Sequence, residues 1–179
     1  MENFMAFISK YEYKSVVTKD RHTSSTKKYL ELLPLPEYIK DDLNLLFIGI
    51  NPGIQSSLKQ HYYANPINHF WKCIYESGLV PEKVDCTKEE HLLHKYSIGM
   101  INYIERPSRS VSEISQQEFN SGRQRIERLL NRYKPKVICF NGKKPYLSFF
   151  NSQKADYGQQ DKGVFDAFHK SSSEKISKK

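Results

Sequence analysis

Leu45-Leu46-Phe47-Ile48-Gly49-Ile50 is an apolar run that ends abruptly in Asn51-Pro52-Gly53. Near-continuous apolar residues over such a length are the mark of a parallel strand covered on both faces, and the Pro-Gly pair stops it in a turn. A strand of this kind needs parallel neighbours and crossover helices, which narrows the fold to the α/β class. Two later runs have the same form: Ile98-Gly99-Met100-Ile101 ends in Asn102, and Val137-Ile138-Cys139-Phe140 ends in Asn141. In open parallel sheets, ligands bind outside the carboxyl ends of the strands. Three amides at three such ends mark a candidate site.

Helical patterns separate these strands. Thr87-Lys88-Glu89-Glu90 and Ser115-Gln116-Gln117-Glu118 both fit the capping box, in which a hydroxyl caps the third amide and the acid reaches back. The second predicts a helix to about Tyr133, with Phe119, Ile126, Leu130 and Tyr133 on one face and Gly122 permitting close approach to the sheet. Asn68 is the expected cap of a helix over His69 to Ser77, with Gly78 as its stop and Phe70, Trp71, Ile74 and Tyr75 on one stripe. Pro135 marks the exit into the third strand. The series predicts a three-layer α/β/α sandwich around a short central parallel sheet, joined by right-handed crossovers. The expected domain covers residues 34–160. Residues 1–33 show no sustained period and read as a mobile basic arm, and residues 161–179 read as an altered or truncated, disordered tail.

A chain of 179 residues has room for one such domain with tails. Its 28 Lys and Arg outnumber 20 Asp and Glu, and the resulting net charge of +8 favours a polyanionic partner. Cys73, Cys86 and Cys139 are odd in number and contain no C-x-x-C pair, so neither a disulfide framework nor a zinc site is indicated, and a reducing compartment is expected. The histidines show no zinc-ligand spacing, so no metal and no cofactor are expected. Neither a membrane span nor a signal-peptide pattern is visible, and no membrane partner is expected. The absence of G-x-G-x-x-G and Walker motifs argues against dinucleotide and nucleoside-triphosphate chemistry.

Asparagine offers one carbonyl acceptor and two N–H donors, which matches the mixed polarity of a nucleobase edge. It is too weak a base to abstract a proton, so a site centred on Asn51 would act by orienting water and stabilising charge. That suits glycosidic cleavage through an oxocarbenium-like state. On spacing alone, a simple turn residue before Pro-Gly is an equal reading of Asn51. His61-Tyr62-Tyr63-Ala64-Asn65-Pro66 is a polar-aromatic loop whose rings can stack on a base, a contact worth roughly 1–3 kcal/mol in single-strand binders; partial core packing is the plainer alternative for any one tyrosine. Gly142-Lys143-Lys144 follows the third strand, where backbone amides and lysines can hold a phosphate. Arg106 and Arg109 follow the second strand and are candidates for DNA-backbone contact, with a solvated loop as the alternative.

Several ordered blocks resemble the mismatch-specific uracil/thymine DNA glycosylases of the uracil-DNA glycosylase superfamily: Gly49-Ile50-Asn51-Pro52-Gly53, Asn68-His69-Phe70-Trp71-Lys72 with Ser77-Gly78-Leu79, Ile98-Gly99 with Asn102 and Arg106-Pro107, Phe140-Asn141-Gly142-Lys143, and Tyr157-Gly158. The resemblance implies that Asn51 orients the attacking water, that Tyr63 stacks on the flipped base, and that Asn102, Ile50, Ser56 and Ser57 line or flank the base pocket. It places Asn141 and Lys143 near the DNA backbone. It also implies a central parallel sheet of about four strands between helices. No lysine occupies an obvious nucleophile position, so water is the expected attacker and the enzyme is expected to be monofunctional.

Two departures accompany it. His61-Tyr62-Tyr63 has tyrosine where close relatives often carry a second histidine. The family also continues into a fourth strand and a Pro-Ser-rich loop whose next residues wedge into the duplex; here Val164-Phe165 lead to Ser171-Ser172-Ser173 without that pattern. The fourth edge strand is therefore expected to be missing or altered, and no residue is given the wedge role. Extruding a base costs a few kcal/mol that wedge and pocket normally offset. The expectation is a nuclear, monomeric glycosylase that removes uracil or thymine mispaired with guanine in double-stranded DNA. The alternatives are a non-catalytic DNA-binding relative or truncated isoform with impaired base flipping and, further off, a hydrolase of free nucleosides.

Overall fold

Parity along the strands builds the layers. In the computed structural model, which describes residues 32–160, β1 (Leu45–Gly49) is buried at all five positions. Leu45 and Phe47 enter one apolar cluster, while Leu46 and Ile48 enter another. β2 (Ile98–Asn102) divides in the same way, with Ile98 and Met100 on the first side and Ile101 on the second. In β3 (Ile138–Phe140), Cys139 joins the first cluster, and Ile138 and Phe140 pack against the second. Successive side chains of a strand point to opposite faces, so two clusters mean a sheet covered on both sides. The expected α/β sandwich is the observed one.

The sheet is parallel, in the order β2-β1-β3. It has three strands among the described residues. The position expected for a fourth strand lies outside them, as do the C-terminal tail and all of the N-terminal arm but residues 32 and 33.

The first face is covered by α2 (Phe70–Glu76), through Phe70, Trp71, Cys73 and Ile74, and by Leu92 of α3 (Glu89–Tyr96). The second is covered by Phe119, Ile126 and Leu130 of α4 (Gln116–Tyr133) and by Phe149 of α5 (Lys143–Phe150). α4 begins at the anticipated capping box, with Ser115 and Glu118 bonded reciprocally. Gly122 also has the anticipated role: a Cβ there would stand 2.6 Å from the carbonyl oxygen of Tyr103. No helix among the described residues is long and apolar enough to cross a membrane.

Three local expectations fail. Asn68 does not cap a helix at His69; its side chain accepts from Phe70 N–H at 2.8 Å, a turn that feeds a helix starting one residue later. Tyr75 leaves the expected stripe and is exposed, because Cys73 completes the face with Phe70 and Ile74. The Thr87 box does not form, since Asp85 accepts from both the backbone N–H and the hydroxyl of Thr87, at 2.8 and 2.6 Å. One further element, the short α1 (Ile54–Lys59), follows Gly53 directly and had no separate sequence signal.

Candidate functional site

With β1 in the middle, the chain passes from it to β2 on one side and then from β2 to β3 on the other, and the crevice expected of such a sheet lies at the carboxyl end of β1. Gly49 is in register with Asn102, and Ile48 with Phe140. Asn51, Asn102 and Asn141 therefore stand at the same end of three adjacent strands. Backbone pairing continues into the loops: Tyr103 N–H donates to Gly49 at 2.7 Å, Ile104 N–H to Ile50 at 2.8 Å, and Asn141 N–H to Ile48 at 2.9 Å.

Asn51 is half-buried and its amide is oriented. Nδ2 donates to Oγ of Ser108 at 2.8 Å and to the Arg106 carbonyl at 3.1 Å, and it lies 3.3 Å from the carbonyl of Pro52. Carbonyl oxygens only accept, so these partners define which end of the amide is nitrogen. Ser108 agrees with them. Its buried hydroxyl donates its one proton to the Ser110 carbonyl at 2.8 Å and has only lone pairs left for Asn51. Among the described residues, none of the hydrogen bonds of Asn51 uses Oδ1.

The loop that orients Asn51 is itself tied down. Ser108 bridges to Gly53, and its N–H reaches the Pro52 carbonyl at 3.1 Å. Arg106 Nε stands 2.7 Å from Glu118, and a terminal guanidinium nitrogen donates to the Glu113 carbonyl at 2.9 Å. Glu118 also accepts from Ser115 N–H at 2.9 Å, as its capping box requires. Hydrogen bonds from Arg106 and then from Ser115 lower the Glu118 carboxyl to about 2. The Arg106 guanidinium, expected on a DNA backbone, is thus engaged within the chain.

Tyr63 and Asn102 meet over Gly49. A Cβ on Gly49 would stand 2.7 Å from Asn102 Oδ1 and 3.0 Å from the Tyr63 hydroxyl, so this position needs glycine. The Tyr63 ring stacks on Phe70, with centroids 3.9 Å apart and planes at 25°. Its hydroxyl is buried without a completed hydrogen bond among the described residues. Burial raises its pKa well above the usual range, against a smaller pull from the approaching Asn141 side chain, so it stays protonated at neutral pH.

The remaining expected residues sit apart from these contacts. Ser56 and Ser57 lie buried on α1, where Ser56 Oγ accepts from Ala64 N–H at 3.3 Å and Ser57 Oγ donates to the Leu33 carbonyl at 2.6 Å. Ile50 packs against the cluster beneath α4 and α5. Lys143 opens α5 with its ammonium 4.4 Å from the centre of the Tyr157 ring. No described hydrogen bond joins Ser56, Ser57 or Lys143 to Asn51, Tyr63 or Asn102.

Two supporting residues carried no functional signal in the sequence. Ser108 looked like one more serine in a polar loop, although loops after strand carboxyl ends are where such residues belong. Glu118 was legible as a capping acid, but not as the partner of Arg106.

Taken in order, the structure supplies an open parallel sheet, an oriented Asn51 amide at the end of its central strand, and the Tyr63 hydroxyl meeting Asn102 over Gly49. The family model described as the uracil DNA glycosylase superfamily matches residues 36–178. That span is most of the sequence and includes every residue of the crevice. The chain belongs to the uracil DNA glycosylase superfamily, whose members are glycosidases acting on damaged bases in DNA.

Proposed function

We propose that this protein is a monofunctional DNA glycosylase of base excision repair, working as a monomer in the nucleus on uracil or thymine mispaired with guanine in double-stranded DNA. The observation that carries the reading is the orientation of Asn51: its Nδ2 is held by Ser108 and Arg106, and its Oδ1 has no hydrogen bond among the described residues. An amide oxygen held in this way can accept a hydrogen bond from water and aim the water's lone pair at the anomeric carbon. The glycosidic bond breaks early, the departing base carries the electrons away, and water adds to the oxocarbenium-like sugar, its surplus proton passing by way of solvent to the base anion, to leave an abasic site.

In this reading the extruded base stacks on Tyr63, with Asn102, Ile50, Ser56 and Ser57 around the pocket. The Asn102 amide supplies a donor and an acceptor to the edge of the base. Asn141 and Lys143 approach the DNA backbone with the positive end of α5. The Arg106 guanidinium instead supports Asn51 through the loop it braces.

End-labelled duplexes carrying one G·U or G·T pair, with a single-stranded uracil control, are incubated with the protein and treated with alkali. Strand scission that disappears with Asn51→Ala, while salt-sensitive DNA binding persists, is the expected result. Binding without scission in folded wild-type protein would replace the enzyme with a non-catalytic DNA-binding relative.

A further inference from the structure

Glu89 is 1 % exposed and is the one fully buried carboxylate among the described residues. As the first residue of α3 it could face water and still complement the helix dipole. It turns inward instead. Oε1 accepts from Tyr62 N–H at 2.8 Å, and both carboxylate oxygens stand 3.2 Å from Nδ1 of His61. Burial raises its pKa in spite of these bonds, so this position disfavours a charge relative to water. An acid kept in such a position calls for a use.

The use is visible one residue further along. Tyr63 has φ +52°, a left-handed backbone that a bulky side chain rarely adopts. Such a conformation persists only where its surroundings over-determine it, and the flanking residues are all tied. His61 N–H donates to the Ser56 carbonyl at 3.1 Å. The Tyr62 carbonyl accepts from the Trp71 indole at 2.8 Å, and the Tyr62 hydroxyl donates to the Pro36 carbonyl at 2.9 Å. Ala64 N–H donates to Ser56 Oγ, and the Ala64 carbonyl accepts from the Lys59 ammonium, each at 3.3 Å. Within this set, Glu89 supplies the carboxylate acceptor, and it grips the N–H of Tyr62, the residue before Tyr63.

We propose that Glu89 is a positioning residue for base recognition: by clasping the Tyr62 amide and the His61 ring, it holds Tyr63 in the left-handed backbone that stacks its ring on Phe70 and sets its hydroxyl over Gly49. The proposal rests on the reading of Tyr63 as the residue that receives the base. Without the clasp, Tyr63 returns to negative φ and its ring leaves the stack, although no atom of Glu89 touches the base.

The test combines single-turnover excision from a G·U duplex with amide hydrogen exchange at Tyr62 and Ala64, in the full chain. Glu89→Ala is expected to slow excision about tenfold, the scale of one hydrogen bond to a charged group. In a Tyr63→Ala background the same change is expected to have no effect. Glu89→Gln, which still accepts from the Tyr62 amide, should restore most of the rate. Exchange at Tyr62 should speed up in Glu89→Ala while exchange in α4 stays the same. Equal slowing in both backgrounds, or unchanged exchange at Tyr62, overturns the proposal. If the wild-type chain excises nothing, the glycosylase reading fails, and the exchange measurement still decides whether Glu89 holds the loop. Should Glu89→Ala not fold, Glu89→Asp, one methylene short of the Tyr62 amide, makes the same comparison.

Discussion

Asn51 and Ser108 are joined by a hydrogen bond whose direction is fixed from both ends: Nδ2 donates at 2.8 Å to a hydroxyl whose own proton is already given to Ser110. The bond ties the end of β1 to the loop after β2. An amide at a strand end is common; here its nitrogen is held within the chain and its oxygen is left out of the described hydrogen bonds.

Ser108→Ala removes this acceptor and leaves the Arg106 carbonyl as the nearer remaining partner of Nδ2. The loss of one buried hydrogen bond, about 1 kcal/mol, converts to a fall of roughly fivefold in single-turnover rate. DNA affinity should be unchanged. Gel-shift binding and quenched-flow excision on the same duplex separate the two quantities.

Asn51→Asp puts a carboxylate oxygen where Nδ2 faced the carbonyls of Arg106 and Pro52 at 3.1 and 3.3 Å. An ionised carboxylate has no proton for them, and repulsion raises its pKa. Activity should be abolished at neutral pH and return in part as the pH falls and the acid form regains a donor. A flat, inactive profile from pH 8 to 5 would argue against orientation by these carbonyls.

Glu118 is lowered from its ordinary 4.5 to about 2 by Arg106 and Ser115. Its contribution to stability is therefore full above the ordinary value and is lost as the pH falls towards 2. Glu118→Gln should reduce stability at pH 7 by about 1 kcal/mol through the weakened cap, with the solvent-facing Arg106 adding at most a similar amount. Urea unfolding at pH 7 and pH 3 checks the sign, because the gap between variant and wild type should shrink at the lower pH.

Tyr63→Phe deletes a buried hydroxyl that lacks a completed hydrogen bond. Removing an unsatisfied polar group of this kind should raise stability by about 1 kcal/mol, measured as a shift in denaturant midpoint at constant slope. Gly49→Ala acts in the opposite direction, since its Cβ would meet Asn102 Oδ1 at 2.7 Å. It should displace Asn102 and slow excision, and Tyr63→Phe should relieve only the smaller of its two clashes.

The sequence made the strands legible because burial on both faces leaves a continuous apolar run, and it made α4 legible because Ser115 and Glu118 are a purely local pair. Thr87 carries the same local signature and fails, because Asp85 competes for it and no spacing rule weighs the two. The three asparagines could be placed at strand ends, since register follows from the strands. The orientation of the Asn51 amide could not, because it depends on Arg106 and Ser108, far off in the chain. Glu89 shows the limit most plainly: an acid in the first turn of a helix looks like a solvated cap until the fold brings Tyr62 above it.

β1 is the central strand, yet β3, the neighbour on its other side, is the last strand of the described chain to be reached. All of the chain through α4 must therefore be synthesised before that edge is closed. Until β3 docks, the incomplete sheet presents an apolar, unpaired edge, the kind of surface on which newly made chains associate wrongly. The crevice is finished by the same event, since Asn141 arrives with β3. Closing that edge and bringing Asn141 to its place beside Ile48 are thus one step.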